Sequence, residues 1–144
     1  MDGCTFCNIS SHEIRAEILF ENEVVMAFLD HRPISKGHSL VIPKKHFTDI
    51  FDVDADTLCE VYRVAKVTAT AIDQVYHPSG INIIQNNGVN AGQTIFHFHV
   101  HVIPRYDSEY NKILGKIAAT RKVVDHSELD PIRDIISNKM DQLM

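Results

Sequence analysis

A chain of 144 residues with 44% hydrophobic and 23% charged side chains is long enough for one domain with a real core. A formal net charge of -5 argues against long nucleic acids as general partners, although a few local donors could still hold a small phosphate ligand. No apolar run approaches the roughly 18 residues of a membrane span, and the opening MDGCTFCNIS has neither the basic start nor the apolar stretch of a signal peptide, so a cytoplasmic protein without membrane partners is expected.

The first chemical signal is Cys4-Thr-Phe-Cys7. With Cys59 the cysteines number three, which does not suit a disulfide framework. A C-x-x-C pair can be redox-active, metal-binding or incidental. A redox motif of the thioredoxin type should end a strand inside a βαβ pattern, and no strand pattern precedes Cys4, so a metal role is favoured. Two apolar runs split by Glu21-Asn22-Glu23 predict a hairpin over 18–20 and 24–29. Pro33 and Gly37 mark a turn. Leu40, Val41 and Ile42 read as a short buried strand stopped by Pro43. Asp54 suits an N-cap, and Leu58, Val61, Tyr62, Ala65, Ala69, Ile72 and Val75 fall at helical spacing, so 55–76 is one long amphipathic helix. Cys59 lies beside that stripe and reads as a small packed residue. Pro78 and Gly80 end the helix. Residues 81–84 form a strand, NNGVNAGQT is a loop, and 95–103 is the last strong strand, closed by Pro104. Residues 105–126 give no usable pattern. Pro131 suits the first turn of a terminal helix on which Ile132, Ile135, Ile136, Met140 and Leu143 share a face. The order β-β-β-α-β-β-α predicts an α+β fold: an antiparallel sheet of about five strands carrying one long helix and a C-terminal helix, in a single domain over 1–144.

The segment HFHVHVIPR, from His97 to Arg105, carries the sharpest pattern. On a helix, residues at i, i+2 and i+4 diverge; on a strand they point one way. His97, His99 and His101 then form a row of imidazoles, while Phe98, Val100 and Val102 enter a core. Such a row serves either metal binding or acid-base and nucleophilic chemistry at phosphorus, and its two ends could serve both.

These residues resemble the histidine triad (HIT) family motif His-φ-His-φ-His-φ-φ, where φ is apolar. NGVNAGQT is similar to the Gly-Gln-Ser/Thr loop that precedes that motif, GHSLVIPKKHF to the family's central strand, and CTFC to the N-terminal pair of its zinc-containing bacterial members. The likeness runs over a core of 4–106, leaving 107–144 as a C-terminal extension, and is nearest to the Hint-type nucleotide hydrolases. The resemblance implies a hydrolase or transferase acting at the α-phosphorus of purine nucleotide conjugates through a nucleotidyl-histidine intermediate. His99 would be the nucleophile, His101 would lie against the phosphate and leaving group, and His38 would orient the row. Gln93 and Thr94 fall where phosphate oxygens are contacted, with Gly92 admitting backbone N–H groups and Asn86 nearby. Asp30 would accept the ribose hydroxyls, and Phe6, Ile9, Phe28 and Leu29 would enclose the base. Cys4, Cys7, His46 and His97 match the zinc positions, a closed and therefore structural set of one ion per chain. A homodimer is also implied, and a long helix over 55–76 that so small a domain would not cover alone, together with open sheet edges, gives it a physical motive. The alternatives are a Fhit-type dinucleoside polyphosphate hydrolase, a hydrolase using a catalytic metal, and a nucleotide-binding module with little turnover.

Overall fold

The computed structural model describes residues 3–144. A short helix α1 (Thr5–Ser10) leads into a hairpin, β1 (Ile18–Glu21) and β2 (Val25–Leu29), then β3 (Ser39–Pro43). Helix α2 (Ala55–Tyr76) follows, with β4 (Gly80–Ile84), a single 3-10 turn at Val89–Ala91, β5 (Val100–Arg105), α3 (Glu109–Ala118) and α4 (His126–Leu143). The strands form one antiparallel sheet in the order β1-β2-β3-β5-β4. The α+β expectation and the five strands are met. The chain divides into two compact units, Met1–Asp107 and Ser108–Met144.

Local chemistry explains the first unit. Asn22 turns the hairpin by accepting the Val24 and Val25 N–H groups on its side-chain oxygen, each at 2.8 Å. The Asp54 side chain accepts the Thr57 N–H at 2.8 Å and starts α2, a cap worth about 1 kcal/mol. His77 ends α2 in the left-handed conformation at φ 49°, just before Pro78.

Strand alternation then sorts the side chains. Val25, Ala27, Val41, Phe98, Val100 and Val102 face α2, where Val61, Val64, Ala65 and Ile72 meet them. Met26, Phe28, Leu40 and Ile42 face the other way and pack with Phe6 and Ile9 of α1. Both faces of the central strands are covered, which is why their sequences read as continuous apolar runs rather than alternating ones.

Two boundaries differ from the sequence reading. The last strand begins at Val100, not at 95, and runs through Pro104 to Arg105. Residues 95–99 are irregular because the Phe98 N–H leaves the ladder to donate to the Phe47 carbonyl at 2.6 Å. Pro43 is the last residue of β3, so the strand stops where the sequence put its end. In the second unit α4 starts at His126, where the Asp125 side chain accepts the Ser127 N–H at 2.8 Å, so Pro131 sits inside the helix and removes one intrahelical bond. Neither helix of that unit buries a residue.

Candidate active site and metal cluster

The histidine row spans the irregular segment and β5, yet its parity survives. Phe98 and Val100 are buried toward α2, while the imidazoles turn toward α1. His101, in register with Leu40 and Ile84 on its two neighbouring strands, holds the centre of the sheet. His99 stacks edge-on against His101 at 4.9 Å between ring centroids, and against Phe6 at 5.2 Å.

The hydrogen bonds fix where each proton sits. Burial is the main cause that depresses all four imidazoles, with His97 and His101 pushed down to about 4, so each is neutral near pH 7 and carries one N–H. The Ile34 N–H can only donate, so His38 Nδ1 accepts it at 3.1 Å and the His38 proton is on Nε2. That Nε2–H donates to His101 Nδ1 at 2.9 Å, which places the His101 proton on Nε2. The His97 carbonyl can only accept, so His99 donates Nδ1–H to it at 2.7 Å and keeps a lone pair on Nε2. The pair therefore presents one nucleophilic nitrogen and one N–H donor side by side.

His38 is almost wholly buried, and its bonds to the Ile34 N–H and His101 Nδ1 place it to orient His101. Asp30 follows β2, spends one carboxylate oxygen on the Arg32 N–H at 2.8 Å, and holds the other 3.6 Å from His38 Nε2. Asp30, His38 and His101 lie close enough to share an ion. The direct His38–His101 bond uses the nitrogens such an ion would need, and the trio is better described as a hydrogen-bonded relay.

The glycine loop carries a correction. Gln93 was expected at phosphate oxygens. Its carboxamide is buried and committed to the backbone instead: Oε1 accepts the Gly88 N–H at 2.8 Å, and Nε2 donates to the Thr48 and Ile95 carbonyls at 2.7 and 3.1 Å. Gln93 thus shapes the loop, while Gly92 and Thr94 remain exposed. Gly88 and Gly92 have φ near +90°, a region that side chains with a Cβ rarely adopt, and Asn86 lies against Gly92. A second correction concerns the base wall. Phe6, Ile9 and Phe28 share the imidazole side of the sheet, but Leu29, one residue further on, lines a groove on the α2 side.

The second centre is a cluster of four. Cys4 caps α1 and Cys7 lies on its first turn, His46 follows β3, and His97 is fully buried. Cys4 Sγ and Cys7 Sγ lie 3.4 and 3.5 Å from His97 Nδ1, and Cys7 Sγ lies 3.3 Å from His46 Nδ1. Ordinary zinc bond lengths at tetrahedral angles would separate sulfur and nitrogen by about 3.6 Å. His97 donates Nε2–H to the Pro43 carbonyl at 2.8 Å, which turns the Nδ1 lone pair toward the thiols. The donor set, the spacing and this outer hydrogen bond all fit a closed zinc site. The anchoring groups at Pro43, Thr48 and Ile34 were invisible in the sequence because backbone groups carry no residue signature.

Residues 11–108 match the HIT domain model. The chain belongs to the HIT family. It is 37% identical over 113 residues to the adenosine 5'-monophosphoramidase hnt1 of Schizosaccharomyces pombe, covering 78% of this chain and 82% of that one. A HIT family protein of Bacillus anthracis superposes with a TM-score of 0.81 at 36% identity, over 96% of this chain and 97% of that one. A Zn-bound histidine triad family protein of Mycobacterium smegmatis superposes with a TM-score of 0.71 at 32% identity, over 99% and 98%. Among the described residues no helix is long and apolar enough to cross a membrane.

Proposed function

We propose that this HIT protein is a cytoplasmic hydrolase of purine nucleotide conjugates with an amine leaving group, working through a nucleotidyl-His99 intermediate. The observation that carries the reading is the proton assignment: a bare Nε2 on His99 beside an Nε2–H on His101. His99 Nε2 attacks the α-phosphorus and the bond to the leaving nitrogen breaks. His101 passes its proton to that nitrogen, so the amine departs neutral. Water then attacks phosphorus, its proton returns to His101, and the phosphorus–His99 bond opens to release the nucleotide monophosphate. Covalent catalysis divides one hard displacement into two in-line steps. The exposed Gly92 and Thr94 offer phosphate donors, Asp30 offers a carboxylate to the ribose, and Phe6 gives the imidazoles an apolar backing. The relative from Schizosaccharomyces pombe, named as a monophosphoramidase, supports the amine leaving group.

Cys4, Cys7, His46 and His97 would hold one structural zinc, an ion that ties α1 to the segment carrying the nucleophile and leaves no coordination position for substrate. A reducing cytoplasm keeps both thiols available for it. A homodimer completes the reading, since the sheet ends in two unpaired edge strands. The test compares turnover of adenosine phosphoramidate with that of diadenosine polyphosphates, followed by intact-mass analysis of rapidly quenched enzyme. A clear preference for the dinucleotides, or an adduct on any residue other than His99, overturns it.

A further inference from the structure

Both thiols of the proposed zinc cluster belong to one short helix and its cap, and both are only half-buried, while their partner His97 is sealed in the core. The Cys7 N–H donates to Cys4 Sγ at 3.4 Å, so the first sulfur already lies over the turn that carries the second. Across the cluster no two ligand atoms are more than 4.8 Å apart. The third thiol, Cys59, is on α2, which packs on the opposite face of the sheet from α1. Cys4 and Cys7 are therefore each other's thiol neighbours. Between them sits Phe6, whose ring meets His99 edge-on at 5.2 Å, His97 at 5.9 Å and Phe28 at 5.7 Å. Ile9, one turn on, packs in the same cluster. The helix that bears the thiols thus also bears two side chains of the apolar wall proposed for the base.

We propose that Cys4 and Cys7 form a reversible disulfide switch, which releases the zinc and loosens the nucleotide site when a two-electron oxidant such as hydrogen peroxide reaches the cluster. The inference rests on the zinc and nucleotide readings above and adds a regulation to them. One thiolate attacks peroxide: an S–O bond forms, the O–O bond breaks and hydroxide leaves. The other thiolate attacks the resulting sulfenic acid: the S–S bond forms, the S–O bond breaks and a second hydroxide leaves. The sulfurs lose one electron each, peroxide gains both, and two protons from solvent turn the hydroxides into water. Tetrahedral zinc holds two sulfurs about 3.8 Å apart, whereas a disulfide joins them at about 2 Å and removes both negative charges. His46 and His97 are then two neutral donors, half of a closed shell, and cannot retain the ion. Helix α1 loses its tie to these two histidines and keeps only the packing of Phe6 and Ile9. The bonds that set the catalytic protons, from His99 to the His97 carbonyl and from His38 to His101, involve no thiol. The switch therefore acts on nucleotide binding more than on turnover. A bridge within reach of solvent, closing only the loop from Cys4 to Cys7, is of the readily reduced kind, so a dithiol reverses it.

The experiment titrates the full-length, zinc-loaded Cys59→Ser chain with hydrogen peroxide. Zinc release is read with a chromophoric chelator and bridging by intact mass. One ion should leave for each chain that loses about 2 Da, the mass of two thiol hydrogens. KM for adenosine phosphoramidate should rise at least ~5-fold while kcat changes less than ~2-fold, and zinc content and KM should both return with dithiothreitol and added zinc. Phe6→Ala should have a raised KM already in the reduced chain and show little further rise on oxidation. Zinc loss with added oxygen instead of a bridge, a bridge that keeps the zinc, or full bridging with an unchanged KM overturns the switch and leaves the His99 chemistry standing. A reduced chain isolated without zinc overturns the zinc reading and the switch together.

Discussion

Replacing His38 by phenylalanine isolates the proton relay, because the ring keeps its approximate shape and loses both nitrogens. In the native site the Ile34 N–H donates to His38 Nδ1 and His38 Nε2–H donates to His101 Nδ1, at 3.1 and 2.9 Å. The second bond holds the His101 proton on Nε2, the nitrogen proposed to face the leaving group. Its loss removes a bias of about 0.5–1.5 kcal/mol, roughly a 2- to 13-fold fall in kcat with little change in KM. The Ile34 N–H left without its partner costs about 1–3 kcal/mol of stability. The assay is steady-state turnover of adenosine phosphoramidate together with urea unfolding, for wild type, His38→Phe, His101→Ala and the double variant. Because His38 acts through His101, His38→Phe should change kcat little once His101→Ala is present. Additive losses in the double variant would refute the relay. So would a loss with His38→Phe as large as that with His99→Gln, which would mean that His38 touches the substrate.

Other outcomes follow from the same geometry. His99→Gln should keep nucleotide binding but lose at least ~100-fold in turnover, with no nucleotidyl adduct by intact mass, and a surviving adduct would contradict the nucleophile assignment. The proposed attacking form of His99 is the neutral one and burial lowers its pKa from 6.5, so kcat/KM should stay flat down to about pH 6.5 and fall only on further acidification; an acid limb centred above pH 7 would be inconsistent. Stability should follow the same direction. The unfolded chain takes up protons near 6.5 that folded His101 refuses until about 4, so unfolding free energy measured in urea should drop as pH falls through that window. Cys7→Ala should strip zinc from the protein and lower its melting temperature more than it lowers kcat of the folded fraction; metal analysis that finds wild type equally empty would remove the zinc proposal.

Much of the fold was legible because strand alternation and the 3.6-residue period are written in side-chain polarity. The helix over 55–76 has an acidic cap at Asp54 and a stop at His77 and Pro78, and both act within a turn of the chain. The end of β3 was legible because proline cannot donate to a ladder, and Pro43 is the last residue of the strand. Helix α1 was missed because six residues give too little periodicity; its existence depends on Phe6 and Ile9 packing under β2 and β3. The C-x-x-C pair announced a metal role locally, but its partners His46 and His97, 39 and 93 residues away from the cysteines, were reached only through family resemblance. Gln93 was misassigned for the same reason. A glutamine beside a glycine loop looks like a phosphate contact until Thr48, far away in sequence, claims its amide.

The alternation of β5 carries one more consequence. Val100 faces the α2 core while His99 and His101 face the other side, so a frame of two residues separates reactive groups from filling. Deleting Val100 would not merely shorten the strand. It would shift every following side chain by one place, presenting Val102 where His101 acts and driving an imidazole into the valine core. Residues around this strand can be exchanged one for one, but its length between His99 and Arg105 is fixed to the single residue. Chemistry and stability here share the same count, and any homologous recombination or grafting of this segment must preserve that count.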